Sequence, residues 1–206
     1  MIEYSDIRHV ELELSSHCNA RCPLCPRNLF GYTYNTGYTA RNITLREVKS
    51  ILPKNFLTQL DGITFEGNFG DPMMNPELLE IIKYLNRPIK IFTNASLQTK
   101  LFWQTLAKLN VEVYFALDGL SDTHSIYRQN TNFEKIITNL RRLRAASTCH
   151  HHCNSARQRL LFCRPRRDRI RVIFVQFSLL LFRENLVAVG ADAPRLGLAS
   201  PAISVR

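Results

Sequence analysis

Cys18, Cys22 and Cys25 fall within eight residues, in the segment Cys18-Asn19-Ala20-Arg21-Cys22-Pro23-Leu24-Cys25. Thiolates are soft ligands, suited to zinc and to iron–sulfur clusters. A closed structural zinc site or an electron-transfer cluster takes four protein ligands. Three thiolates on a four-iron cubane leave one iron open to an outside ligand, the condition for a cluster that acts on a bound molecule. The competing reading is a zinc knuckle with His17 as fourth ligand. Tetrahedral closure by a residue adjoining Cys18 is awkward, so the count of three favours the open cluster.

The elements that must position these thiols alternate in type. Val10 to Leu14 alternates apolar and polar residues, as a strand does, and leads straight into the cysteines. Thr44-Leu45-Arg46-Glu47 has the form of a capping box and opens a helix carrying Leu45, Val48 and Leu52 on one face. Ile63 to Phe65 forms a second strand. Asn75 caps the next helix, with Pro76 at its first position and Leu78, Ile81, Ile82 and Leu85 as its apolar stripe. A third strand runs from Ile89 to Phe92. A helix from Gln98 to Leu109 uses Phe102, Leu106 and Leu109 and stops at Asn110. Val111 to Leu117 is the fourth strand, and the helix from Asn132 buries Phe133, Ile136, Ile137, Leu140 and Leu143. Four consecutive βα units predict an α/β fold with a parallel sheet, barrel-like or doubly wound. In either form the chemistry belongs at the C-terminal ends of the strands.

Chemistry-bearing residues stand at those ends. Gly67-Asn68-Phe69-Gly70-Asp71-Pro72 follows the second strand. Its glycines allow close approach of backbone to a ligand, and Asp71 offers a carboxylate to an ammonium group, although the same residues also make a plain turn. Thr93-Asn94-Ala95 follows the third strand and reads as a turn, a helix cap or a ligand contact. Ala116-Leu117-Asp118-Gly119 closes the fourth, with His124 and Arg128 beyond it. Arg128 suits either a carboxylate ligand or a surface ion pair.

The C-x3-C-x2-C spacing after a strand resembles the signature of the radical S-adenosylmethionine (SAM) superfamily, and the later motifs follow in that family's order. The resemblance covers residues 10–146. It implies a partial (β/α)6 TIM-like barrel, of which four units are legible, incomplete at the C-terminus. It also implies two cofactors, a [4Fe-4S] cluster held by Cys18, Cys22 and Cys25, and SAM chelating the open iron. Phe69-Gly70-Asp71-Pro72 resembles Gly-Gly-Glu-Pro, with Phe for the first Gly and Asp for Glu, which implies that Gly70 and Asp71 meet the SAM amino group. Thr93-Asn94-Ala95 resembles Thr-Asn-Gly and places Asn94 near the cofactor. Ala116-Leu117-Asp118-Gly119 resembles Ser-Leu-Asp-Gly, which adds Asp118; because Ala116 replaces the Ser, a ribose contact there is not carried over. His124 and Arg128 stand where relatives often show a His and an Arg, and Arg128 is expected to pair with the SAM carboxylate. Leu24 stands where an aromatic residue is usual. The family further implies an electron donor such as a flavodoxin or ferredoxin. Its nearest look is to the branch that modifies peptides, proteins or cofactor precursors. An inactive truncated core and a non-catalytic iron–sulfur or zinc module are the alternatives.

Composition divides the chain at residue 147. Residues 1–146 hold 17 Lys and Arg against 14 acids; residues 147–206 hold 10 Arg, no Lys and 3 acids. The net charge of +10 therefore sits mainly in the tail and argues against nucleic acid as the first region's partner. All seven Lys and all seven Tyr precede the tail. That shift reads as a separate Arg/His-rich appendage or as a continuation foreign to the domain, for instance after a change of reading frame. A fifth strand is expected near 170–182. Cys149, Cys153 and Cys163, with His150 to His152, match no spacing for an extra cluster, so metal is not assigned there. No apolar run reaches the roughly 20 residues that span a bilayer, and no secretory signal opens the chain; a cytoplasmic location is expected, where cysteines serve metals more than disulfides.

Overall fold

A computed structural model of the chain describes residues 3–29, 33–34, 39–146 and 170–174. After a short 3₁₀ turn at Tyr4–Asp6 come strands β1 (His9–Leu12), β2 (Asn28–Leu29) and β3 (Thr33–Tyr34), then helices α1 (Leu45–Ile51) and α2 (Lys54–Leu57). Strand and helix then alternate: β4 (Gly62–Phe65), α3 (Leu78–Leu85), β5 (Ile89–Thr93), α4 (Lys100–Leu106), β6 (Val111–Leu117), α5 (His124–Tyr127), α6 (Phe133–Ala146) and β7 (Ile170–Phe174). The five strands β1-β4-β5-β6-β7 form one parallel sheet in that order, and β2 pairs with β3 as a small antiparallel ribbon. This is the α/β arrangement expected from the sequence, and the segment near 170 supplies a fifth parallel strand. Residues 175–182, the rest of that expected strand, lie outside the described residues, as do Cys149, Cys153 and Cys163.

Register carries the strand ends to one side. Val10 pairs with Ile63, Ile63 with Ile89, and Ile89 with Val111. The helices bury one face of the sheet. Phe65, Ile91, Val113 and Phe115 are fully enclosed there with the α3 stripe Leu78, Ile81, Ile82 and Leu85. Trp103 of α4 stacks on Phe115 at 5.6 Å between ring centroids. The alternate residues of the sheet are less enclosed: Lys90 is exposed, and Phe92 and Tyr114 stack on each other at 4.5 Å. Among the described residues no helix is long and apolar enough to cross a membrane.

Several element ends differ from the sequence reading, each for a local reason. The capping box of α1 forms as expected: Thr44 accepts from the Glu47 N–H, and Glu47 holds the Thr44 N–H in return. Those contacts lower the Glu47 pKa to about 2, the Thr44 backbone N–H contributing most. Asn75 does cap its neighbour, accepting from the Glu77 N–H at 2.8 Å, but α3 proper begins only at Leu78. The preceding Pro72–Met74 turn is 3₁₀, and the Asn75 amide donates to Leu14 and Ile43 carbonyls. Gln98 cannot open α4 because its φ is +74°; Thr99 caps instead. On α4 Trp103 and Leu106 are fully buried, and Phe102 packs half-buried against the same core. Asn139 sits at 0% exposure on α6, a position the apolar stripe does not reveal.

Asn139 has a distinct task. Its amide donates to the Ala95 and Leu97 carbonyls, both at 2.9 Å. Those carbonyls belong to the turn after β5, where Ala95 adopts φ +55° while almost fully buried. The left-handed region costs a residue with a Cβ roughly 1–2 kcal/mol, and glycine recovers most of that less its own entropy. Asn139→Ala is expected to lower stability by about 1–3 kcal/mol, because the buried Ala95 carbonyl loses its donor and the Leu97 carbonyl keeps only the Trp103 indole N–H. Ala95→Gly is expected to raise it by up to about 1 kcal/mol. Urea unfolding followed through Trp103, the single tryptophan, measures both.

Candidate metal centre

The three cysteines occupy the loop that leaves β1. Leu14, wholly buried, anchors its start, and Ser15 bridges to Asn42. Cys22 is buried, Cys18 and Cys25 are half-buried, and all three are free thiols. Two successive turns shape the loop: the Cys25 N–H donates to the Cys22 carbonyl at 3.0 Å, and the Asn28 N–H to the Cys25 carbonyl at 2.9 Å. Distant chain then pins it. The Arg21 N–H donates to the Gln129 carbonyl at 2.9 Å. Asn19 and Asn130 exchange side-chain-to-carbonyl bonds at 3.2 and 2.7 Å. Asn130 has φ +59°, a conformation Asn tolerates better than most residues.

The loop after β4 packs directly on this one. A Cβ at Gly70 would lie 1.9 Å from the Ser15 carbonyl oxygen, so the two backbones meet only because residue 70 is glycine. Next to it the Asp71 N–H donates to the His17 carbonyl at 2.8 Å. The Asp71 carboxylate is buried, and burial raises its pKa despite its donors. It accepts from the Met73 N–H (2.9 Å), the Thr93 hydroxyl (2.9 and 3.0 Å) and the Asn94 N–H (2.9 Å). The sequence reading offered this carboxylate to an ammonium ligand; here protein donors occupy both oxygens, and Asp71 ties the loops after β4 and β5 together. Asn94 completes the link. Its side-chain amide reaches Cys18 Sγ at 3.4 Å and Asn19 Oδ1 at 3.0 Å.

The third group lies after β6. Arg128 Nε donates to Asp118 Oδ2, and the Asp118 side chain is fully enclosed. Asp118 Oδ1 has no partner among the described residues. The Asp118 N–H donates to His124 Nδ1 at 3.4 Å, so the His124 proton sits on Nε2, which donates to Thr131 Oγ1 at 3.1 Å. Burial, helped by the Arg128 charge, lowers the His124 pKa, so it remains a neutral spacer. Burial also pushes the Cys22 thiol up, and the Arg128 charge opposes that shift. Cys18 is pushed up to about 12, first by burial and then by the Asp71 charge. A metal must therefore displace its proton.

One charged residue escaped the sequence reading. Arg27 is 2% exposed, donates to the Ala20 carbonyl at 3.3 Å, and forms no ion pair among the described residues. Its position two residues after Cys25 was the available signal; an enclosed guanidinium without a counter-ion calls for an anion nearby.

Among the described residues, no three His, Cys, Asp or Glu side chains are arranged to hold a single metal ion. A four-iron cluster asks for something else, since each thiolate takes its own iron and the sulfurs need only face a common space. Three free thiols on one loop, with Arg27 and Arg128 at hand to offset negative charge, supply the number and kind of ligands that such a cluster takes. A surface hollow of about 500 Å³, lined by Glu13, Arg41, Ile51 and Phe69 among others, includes none of the cysteines.

Comparison with known proteins agrees with this fold. No curated protein matches the chain significantly in sequence. Streptococcus suis SuiB bound to S-adenosylmethionine superposes with a TM-score of 0.54 at 17% identity, over 67% of this chain and 31% of SuiB. SuiB bound to precursor peptide SuiA gives 0.52 at 18% identity, over 67% and 30%. Native anSMEcpe with bound AdoMet gives 0.54 at 20% identity, over 68% and 41%. The chain thus spans about a third of SuiB and two-fifths of anSMEcpe, and at these identities the likeness is one of fold. The radical SAM superfamily model matches residues 12–153, from the end of β1 past the end of α6. With the cysteine loop and the three strand-end loops that close on it all inside that match, the chain belongs to the radical SAM superfamily.

Proposed function

We propose that this chain is a radical SAM enzyme whose Cys18, Cys22 and Cys25 hold a [4Fe-4S] cluster with one iron left for SAM. When bound, that pair supplies reductive cleavage of SAM to methionine and a 5′-deoxyadenosyl radical that takes a hydrogen atom from the substrate. The observation that carries the reading is the closing of three successive strand-end loops, through Asp71, Asn94 and Arg128, on one loop of three free thiols.

The residues divide the work. Gly70 lets the β4 loop approach the cysteine loop, and Asp71 holds the β5 turn against both. Arg128 is fixed at Nε by Asp118, which leaves its outer nitrogens for the SAM carboxylate. Asp118 Oδ1, enclosed and without a partner among the described residues, is an acceptor for a donor group on the same ligand. The electron comes from a flavodoxin or ferredoxin type of donor. A peptide is the favoured substrate class, because SuiB, which shares the fold, is bound to a precursor peptide in one of its structures.

Anaerobic reconstitution with iron and sulfide, followed by SAM and dithionite, is expected to yield 5′-deoxyadenosine by mass spectrometry. Cys22→Ala is expected to abolish it, whereas the Cys149→Ala/Cys153→Ala pair leaves it intact. Product from Cys22→Ala would remove the cluster assignment, a cluster without product would favour an inactive core, and uptake of zinc alone would favour a non-catalytic module. Arg128→Lys keeps the charge beside Asp118 but loses the planar fork. Its SAM dissociation constant is expected to rise about tenfold or more, the loss of one hydrogen bond to a charged group. Equilibrium dialysis with labelled SAM measures that change, and parent-like affinity would take Arg128 off the ligand.

A further inference from the structure

We infer that Asn94 is a positioning residue for the cluster's electron chemistry: its side-chain amide donates a hydrogen bond to the sulfur of Cys18 and raises the cluster's reduction potential. This rests on the cluster assignment above and adds to it a specific protein–sulfur contact.

The geometry leaves the amide little choice. Asn94 Oδ1 accepts from the Ser96 N–H at 2.9 Å, which fixes the oxygen on that side. The two Nδ2 protons then point the other way, toward Cys18 Sγ at 3.4 Å and Asn19 Oδ1 at 3.0 Å. A flipped amide would set its nitrogen against the Ser96 N–H and its oxygen against Asn19 Oδ1, losing two bonds at once. The main chain is equally fixed, because the Asn94 N–H is held by Asp71, whose own N–H is held by the His17 carbonyl next to Cys18. Asn94 is 4% exposed, so its amide is largely shielded from water. Cys18 also receives the Ala20 N–H at 3.4 Å, which makes it a doubly hydrogen-bonded sulfur.

Reduction adds one electron, supplied by a low-potential donor, to a cluster already carrying the charge of its thiolates. An N–H aimed at a ligating sulfur stabilises the added charge more than the starting state, so it favours the reduced form. A residue that merely shaped the loop would alter cluster loading and leave the potential alone.

Asn94→Asp keeps the size and the acceptor toward Ser96, removes both N–H donors and adds negative charge. In a mediated dithionite titration followed by EPR, its reconstituted cluster is expected to be harder to reduce. The reduced fraction at a fixed solution potential should fall about tenfold relative to oxidised, ~59 mV for one electron. Asn86→Asp, the same substitution at the exposed C-terminal end of α3, is expected to titrate like the parent. The parent itself provides a test that needs no variant. Protein grown on asparagine labelled with ¹⁵N in its side-chain amide should show a ¹⁵N coupling to the reduced cluster in pulsed EPR, absent from unlabelled protein and from Asn94→Asp. A parent cluster without that coupling, or a loaded Asn94→Asp cluster with an unchanged potential, overturns the inference while leaving the cluster in place. A parent chain that takes up no cluster overturns the underlying assignment and this inference together.

Discussion

A carboxylate shut away from water must find its hydrogen bonds inside the protein, and Asp71 finds them in two places at once. Its own turn supplies the Met73 N–H, and the end of β5 supplies Thr93 and Asn94. Its backbone N–H meanwhile holds His17, at the threshold of the cysteines. The loops after β4 and β5 therefore share one buried acceptor, and the loop after β1 is tied to the same residue through the Asp71 backbone N–H. The demand for glycine at position 70 follows from the same closeness, since the backbones there approach to a distance that excludes a methyl group.

The electrostatics of the centre follow from burial as much as from charge count. Enclosure pushes the Cys18 thiol up to about 12, so the sulfur that faces Asn94 stays protonated until a metal replaces its proton. Two guanidinium groups lie close by. Arg27 has a backbone carbonyl as its hydrogen-bonded partner, and Arg128 shares its charge between Asp118 and the neighbourhood of Cys22. Enclosed cations of this kind are costly unless an anion completes them. The local field therefore favours a negatively charged occupant, although burial makes the Cys18 and Cys22 thiols hard to ionise alone.

Sheet and helices were legible in the sequence because their signal is periodic. The stripe Leu78, Ile81, Ile82 and Leu85 is buried as read, and β6 runs over the residues expected of it. Ends were less legible, because they depend on single residues meeting partners far away: Gln98 with positive φ, or Asn75 drawn toward Leu14 and Ile43. The cysteine spacing and the order of the strand-end motifs picked out residues that the fold brings together. The roles inside it were harder to read. A sequence shows that Asp71 carries a carboxylate, not that Thr93 and two N–H groups already occupy it. It shows Asn139 as a polar interruption of a helix, not as the donor that holds the Ala95 turn.

The clamp between Asn19 and Asn130 joins residues 111 positions apart, and the Arg21 bond to Gln129 spans nearly as far. Contacts that distant close only after the intervening chain has been brought together, and such closures are slow relative to local ones. During synthesis the thiols emerge early, yet the walls that hold them are translated much later. The nascent cysteine loop must wait for β4, β5 and β6 to stack before it has a shape to keep. The shape of the cysteine loop is in this sense a late property of the chain, set only once α5 and the turn that follows it have joined the sheet.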